Sequence, residues 1–298
     1  MSALEVGRVT MRHPDKVMYP ATGTTKGELA EYYLAVAPAI LAQLEGRPVT
    51  RVRLPDGMAG ERFFEKNVPR GAPAWLRHRT LRAAPGGTDE GKEVDLPFLD
   101  EIDAVVWALN LGALELHTPQ WRVGPRGGIR RPDRFVVDLD PGPPAGLAEC
   151  VEVARLVAER LRADGLETIP VTSGSKGIQL YAPLDGKADV QRVHAYGRAL
   201  AREIAAEHPE LVLATSGRDD REGRVFIDWS QNHPAKTTIT PYSLRAREQP
   251  HVAAPRTWAE LEDPQLAQLD FREVARRVEA QGDLYPWDLP GGSVPRVD

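Results

Sequence analysis

The sequence predicts a mixed α/β (α+β) chain, and three observations carry that prediction. Apolar runs of strand length recur, among them Phe135-Val136-Val137 and Val225-Phe226-Ile227. Two long stretches, Leu147 to Ala163 and Val190 to His208, carry apolar residues at helical spacing. Near the start, Thr25 and Glu28 form an S/T-x-x-E capping box ahead of Leu29, Tyr32, Tyr33, Val36 and Ile40.

Taken in order, the box opens a helix over about 25–44, and strands follow near 49–54 and 62–66. The polar, glycine-rich stretch 83–92 reads as a loop. Residues 101–111 read as a helix with Ile102, Val105, Val106 and Leu109 on one side. Gly124-Pro125-Arg126-Gly127-Gly128 then separates this lobe from the rest of the chain. The second half runs strand near Phe135, helix 147–163, strands near Ile169 and Leu180, helix 190–208, strand near Val225. That βαββαβ order resembles a ferredoxin-like unit. A short helix near Trp258, a helix over 271–280 and a proline-rich end from Tyr285 to Pro295 complete the chain. At 298 residues the expectation is a single domain over 1–298. Within it, an N-terminal lobe covers about 1–125, a catalytic lobe about 130–250 and a helical tail about 255–298.

Composition limits the setting. One cysteine, Cys150, sits in an apolar helical pattern, so neither an internal disulfide nor a metal–thiolate site can form. The start lacks a long apolar run, which predicts no signal peptide, no membrane span and a cytoplasmic location. The net charge of −5 supplies no global field for DNA. A nucleic-acid partner therefore requires cations gathered on one face, with candidates Lys16, Lys26, Arg51, Arg53, Lys66, Arg70, Arg77 and Arg79.

Chemistry is concentrated in four segments. In Phe135-Val136-Val137-Asp138-Leu139-Asp140-Pro141-Gly142 the two aspartates are two apart, so on a strand they share a face. Asp228, in Val225-Phe226-Ile227-Asp228-Trp229, is a third acid, and three converging carboxylates suit hard cations. A plain strand-ending turn is the other reading of Asp138, Asp140 and Pro141. Between the acids, Ser173-Gly174-Ser175-Lys176-Gly177 forms a glycine-broken turn before a strand in which Ile178, Leu180 and Ala182 alternate with Gln179 and Tyr181. Its amides, hydroxyl and lysine suit a phosphate cradle, and taken alone the segment also reads as a hairpin turn with a solvated lysine. It is not the G-x-x-x-x-G-K-[ST] of a P-loop. Lys236 and Arg245 follow Asp228, where cations suit a pyrophosphate leaving group.

In order and spacing these blocks resemble the polymerase domain of bacterial ligase D, a member of the archaeo-eukaryotic primase superfamily that acts in non-homologous end joining. The blocks are Asp138-Leu139-Asp140-Pro141-Gly142, Ser173-Gly174-Ser175-Lys176-Gly177, Val225 to Asn232, and Lys236-Thr237-Thr238 through Pro241-Tyr242-Ser243-Leu244-Arg245. The similarity runs from Asp15-Lys16-Val17-Met18-Tyr19-Pro20 to Trp258-Ala259-Glu260-Leu261. It implies the primase-polymerase fold, with a ferredoxin/RRM-like catalytic sheet. It also implies that Asp138, Asp140 and Asp228 are catalytic and bind two Mn2+ or Mg2+ ions. Ser173, Lys176, Lys236 and Arg245 would hold the triphosphate, with His117 beside the nucleotide and Arg53 and Lys66 as further active-site cations. Lys16 and Lys26 would grip the 5′-phosphate of a downstream strand. Phe63 and Phe64 would stack on the bent template, and strand alternation predicts one buried and one stacking.

One position departs: Gln179 stands where the family has a histidine. Glutamine can donate to a phosphate but carries no charge and moves no proton, so triphosphate binding is expected to persist, weaker and less pH-dependent. The implied activity is extension of DNA 3′ ends at short gaps and breaks carrying a 5′-phosphate, from NTP or dNTP with ribonucleotides preferred. Ku and a DNA ligase are the implied protein partners, and the nucleoid the implied location. A two-metal nuclease and a non-catalytic DNA-end-bridging protein remain the alternatives.

Overall fold

Two sheets organise the chain in the computed structural model, which describes residues 3–215, 221–285 and 289–297. The chain opens with two hairpins, β1 (Ala3–Val6) with β2 (Val9–Arg12) and β3 (Val17–Tyr19) with β4 (Thr24–Thr25). Helix α1 (Lys26–Ala35) starts at the expected capping box, the Glu28 N–H donating to Thr25 Oγ1 at 3.3 Å and the Thr25 N–H to Glu28 Oε2 at 2.8 Å. The one helix expected over 25–44 is in fact two, because α2 (Ala37–Leu44) begins after a break at Val36. Pro38 has no N–H for the Leu34 carbonyl, and its ring crowds that oxygen.

The first lobe's sheet has the order β15-β9-β5-β6: β5 (Thr50–Arg53), β6 (Phe63–Glu65) and β9 (Ala113–Thr118), closed by β15 (Thr238–Ile239) from late in the chain. The expected 83–92 loop is the tip of a separate hairpin, β7 (His78–Arg82) with β8 (Glu93–Pro97). Helix α3 (Ile102–Asn110) lies close to its predicted span.

The second sheet is built from β10 (Arg134–Pro141), α4 (Leu147–Ala163), β11 (Ile169–Thr172), β12 (Ile178–Pro183), α5 (Val190–Glu207), β13 (Val212–Leu213) and β14 (Val225–Asp228), with β17 (Ala254–Pro255) at one edge. Its order is β13-β14-β10-β12-β11-β17. Without the two edge strands this is the 4-1-3-2 order of a βαββαβ ferredoxin-like unit, as predicted. Pleating turns Phe135, Val137, Leu139, Ile178, Leu180 and Ala182 into the core beneath α4 and α5, where Cys150 is also buried. Val136 and Tyr181 face the other way, and the Tyr181 hydroxyl donates to the Ile239 carbonyl at 3.0 Å. The acid-bearing face thus looks toward the first lobe's sheet.

Strand β16 (His251–Val252) pairs with β18 (Leu269–Asp270), and α6 (Phe271–Gln281) docks on α1, its Phe271 ring edge-on to Tyr32 at 5.8 Å. Phe271 and Val274 are therefore buried in the same cluster as Leu29 and Tyr33. Near Trp258 the expected helix is a single 3-10 turn, Glu260–Glu262. No described helix is long and apolar enough to cross a membrane.

Candidate active site

Strands β10 and β14 pair so that Asp138 lies directly opposite Asp228, with Asp140 two positions along on the same face. Direct cross-strand partners have Cβ atoms about 4.5–5.5 Å apart. Two acids ninety residues apart are thus held side by side by ladder register. On its other flank Asp138 pairs with Gln179 of β12, whose Nε2 donates to Asp138 Oδ1 at 3.1 Å. Burial, then the charges of Asp228 and Asp140, raise the Asp138 carboxyl from its usual 3.8 to about 7, against Gln179 and Arg245. The other two acids have donors of their own. Arg221 pairs with Asp140 at 2.8 Å, and Asp228 accepts from the Ser230 N–H and hydroxyl and from Gln231 Nε2 at 3.0, 2.6 and 2.8 Å. Among the described residues no three His, Cys, Asp or Glu side chains stand in chelating geometry. The oxygen donors and the charge stress on Asp138 suit a hard cation, and Asp140 and Asp228 would turn from these donors to reach it.

The turn between β11 and β12 is built differently from the open amide cradle the sequence predicted. Ser173 is buried and its Oγ accepts from the Ser175 and Gly177 amides at 3.3 and 3.2 Å, while the Gly174 amide donates to Gln268 Oε1 at 2.6 Å. Ser173 thus takes two of these amides to close the turn locally, and Gln268 takes the third. Lys176 remains exposed at the tip. Gly174 sits at φ +68, and a Cβ there would meet Arg245 Cγ at 2.5 Å, so the glycine brings Arg245 against the turn. Gly177 allows the turn to touch β10, since a Cβ would lie 1.8 Å from the Leu139 carbonyl oxygen.

Arg245 and His117 meet at a buried acid the sequence analysis passed over, Glu115. His117 Nε2 lies 2.9 Å from Glu115 Oε2, Arg245 Nε 3.3 Å from Oε1, and the Ala246 amide donates to Oε1 at 2.9 Å. Burial pushes Glu115 up, but His117, Arg245 and that amide together hold it at about 2. The signal was available, for Glu115 and His117 are two apart on one strand and share a face. Gln179 is buried and bridges Asp138 and the Tyr181 hydroxyl (3.2 Å).

The remaining cations are unequal. Arg53 is held by Glu65 (2.8 Å) and the Leu111 carbonyl (2.8 Å), and Lys66 by Asp89 (2.8 Å), whereas Lys236 is exposed. Arg51, a candidate for the cationic face, is fully buried against Glu65 and over Trp107, because β5 is central in its sheet. Lys16 and Lys26 stand together at the start of α1, the Lys26 amide donating to the Lys16 carbonyl. Burial and the Lys16 charge lower the Lys26 ammonium against Asp15, while Lys16 Nζ is held by the Pro55 carbonyl at 2.6 Å and Asp56 at 3.1 Å, and Lys26 Nζ donates to Asn110 Oδ1 at 3.2 Å. Phe63 and Phe64 are both exposed, at 43% and 61%, where one was expected in the core. Strand β6 is a three-residue edge, and nothing among the described residues covers either ring fully. Sequence reasoning also missed Arg221, Ser230 and Gln231, of which the last two lie within the Asp228 block.

Comparison with known proteins gives a consistent result. Residues 25–285 match the family described as "LigD, primase-polymerase domain". The chain is 45% identical over 289 residues to the multifunctional non-homologous end joining DNA repair protein LigD of Mycobacterium tuberculosis, covering 95% of this chain and 37% of that protein. Against the Pseudomonas aeruginosa multifunctional non-homologous end joining protein LigD it is 33% identical over 290 residues, 97% of this chain and 34% of the other. The solved polymerase domain from Mycobacterium tuberculosis ligase D in complex with DNA superposes with a TM-score of 0.87 at 45% identity, over 93% of this chain and 96% of that one. The chain spans about a third of the length of these curated relatives.

Proposed function

This chain belongs to the LigD primase-polymerase domain family, nucleotidyltransferases of the archaeo-eukaryotic primase type, and from that premise we propose that it extends DNA 3′ ends at short gaps and double-strand breaks in non-homologous end joining. The observation that supports this most is the register that sets Asp138 opposite Asp228 with Asp140 on the same face. Two divalent cations, Mn2+ or Mg2+, held by these three acids would supply activation of the primer 3′-hydroxyl and neutralisation of triphosphate charge. Gln179 orients Asp138, and Glu115 holds His117 and Arg245 in place. Arg245, Lys176 and Lys236 answer the charge that grows on departing pyrophosphate. Lys16 and Lys26 receive the 5′-phosphate at the far side of a gap, and Phe63 and Phe64 give a sequence-blind stacking surface for the template. A preference for ribonucleotides and association with Ku and a ligase belong to the same proposal.

Primer extension on gapped DNA tests it, with and without the 5′-phosphate, comparing ribo- with deoxynucleotides in Mn2+. The expected result is template-directed addition that needs Asp228 and is stimulated by the 5′-phosphate. Degradation of DNA without added nucleotide would favour a nuclease. End joining that survives Asp138→Ala but not Lys16→Ala would favour a scaffold.

A further inference from the structure

The β7–β8 hairpin, Trp121, residues 129–132 and Pro234 to Thr237 enclose a cavity of about 290 Å³ that none of Asp138, Asp140 and Asp228 lines. Its walls are largely apolar, with Leu81, Leu96, Trp121 and Ile129 among them, and the Trp121 indole N–H donates to the Pro234 carbonyl at 3.4 Å, which fixes the ring. Lys66 and Lys236 line it as well, and Arg82 and Arg130 contribute guanidinium groups. The two acids in its lining are already engaged, Asp89 with Lys66 and Asp189 with the Arg192 amide at the start of α5. Arg79 and Arg126 extend the positive surface outward. A Cβ at Gly127 would stand 2.0 Å from Arg79 Cζ, so the arginine lies across the loop next to Arg126. Arg79, Arg82, Arg126 and Arg130 are all exposed. The ion pairs formed among the described residues include none of these four. In a chain of net charge −5 this is a concentration of positive charge outside any ion pair, with Glu93 opposite Arg82 across the hairpin.

We propose that this cavity and its arginine rim bind a single-stranded stretch of nucleic acid, one base entering beside Trp121 while the neighbouring phosphates lie along Arg82, Arg130, Arg79 and Arg126. Guanidinium groups clamp phosphate oxygens in a fork, and an aromatic wall in a cationic groove is how single strands are held without sequence preference. A base held in a stacked pair cannot reach in between these walls, so the geometry selects single strands over duplex. The site goes beyond the polymerase reading, since binding there requires neither divalent cation nor nucleotide.

Fluorescence anisotropy of the full chain with labelled oligo(dT), in EDTA and without nucleotide, is the test. Charge reversal by Arg126→Glu with Arg130→Glu, at exposed positions, should weaken binding at least about tenfold and make the salt dependence shallower by about 1.4, the value for two lost single-strand phosphate contacts. Trp121→Leu, which keeps an apolar wall, should cost about 5- to 150-fold. Blunt duplex binding should change much less in both. The proposal is overturned if the parent chain does not bind oligo(dT), if the double variant leaves affinity and salt slope unchanged, or if duplex binding falls as far as single-strand binding. Polymerase activity plays no part in this measurement, so its outcome and that of the extension assay are separate.

Discussion

Replacing Asp138 by Asn should make the chain more stable while removing its activity. The Asp138 carboxyl binds its proton more tightly in the folded chain, at about 7 against the usual 3.8, first through burial and then through Asp228 and Asp140. For an acid raised in this way the folded state is favoured below the unfolded value, and stability falls as pH rises through about 7. Three units correspond to about 4 kcal/mol for the ionised form, at about 1.4 kcal/mol each, and solvent at this half-buried group cuts that to about 2 kcal/mol. Asn keeps an oxygen for Gln179 and sheds the charge. Urea unfolding at pH 8 without divalent cations should therefore find Asp138→Asn about 2 kcal/mol more stable than the parent, with the gap narrowing steadily toward pH 4. Adding Mn2+ should raise the melting temperature of the parent and not of the variant. Primer extension should fall at least about a hundredfold, the scale of losing several kcal/mol of transition-state stabilisation. A variant no more stable than the parent at pH 8, or a difference flat from pH 4 to 8, would refute the like-charge stress on which this reasoning stands.

Other consequences are equally direct. Gly177→Ala would drive a methyl toward the Leu139 carbonyl, 1.8 Å away before relaxation, and should destabilise the fold by about 2–4 kcal/mol in equilibrium unfolding. Phe63→Ala and Phe64→Ala remove exposed rings, so stability should move by less than about 0.5 kcal/mol while affinity for gapped DNA falls by about 1–3 kcal/mol in a binding titration. Glu115→Gln should cost about 2–3 kcal/mol at pH 7. Because Glu115 is held down at about 2, its contribution is complete above about pH 4.5 and disappears as pH falls toward 2, where parent and variant should unfold alike. Gln179→His places an imidazole beside Asp138, and nucleotide affinity measured against pH should then improve below about pH 6.5. Unchanged affinity at every pH would show that this position does not bear on the nucleotide.

Much of the fold is legible locally. The Thr25–Glu28 box, the α4 and α5 periodicities and the alternation from Ile178 to Ala182 all appear where the residues predict them. What failed locally did so for identifiable reasons. The apolar pattern runs on past Pro38, yet the proline cannot continue the helical ladder, and the split at Val36 is the result. Strands of two residues, such as β15 and β17, have no periodicity to read. Phe63 and Phe64 alternate as strand residues must, but alternation decides only opposite faces. Whether either face is covered depends on what lies beside an edge strand.

The order of elements, the residue types at the candidate site and the shared face of Asp138 and Asp140 were determined by the sequence alone, because each is set by steps of a few residues. Which groups meet was decided only by the tertiary structure. Asp228 opposite Asp138, Gln179 on its other flank, Glu115 between His117 and Arg245, and Arg221 on Asp140 all join segments far apart in the chain. The physical reason is register. A slip of one residue between β10 and β14 would turn Asp228 to the helix-covered face, and that register is set by packing the whole sheet against α4 and α5, which no local pattern encodes.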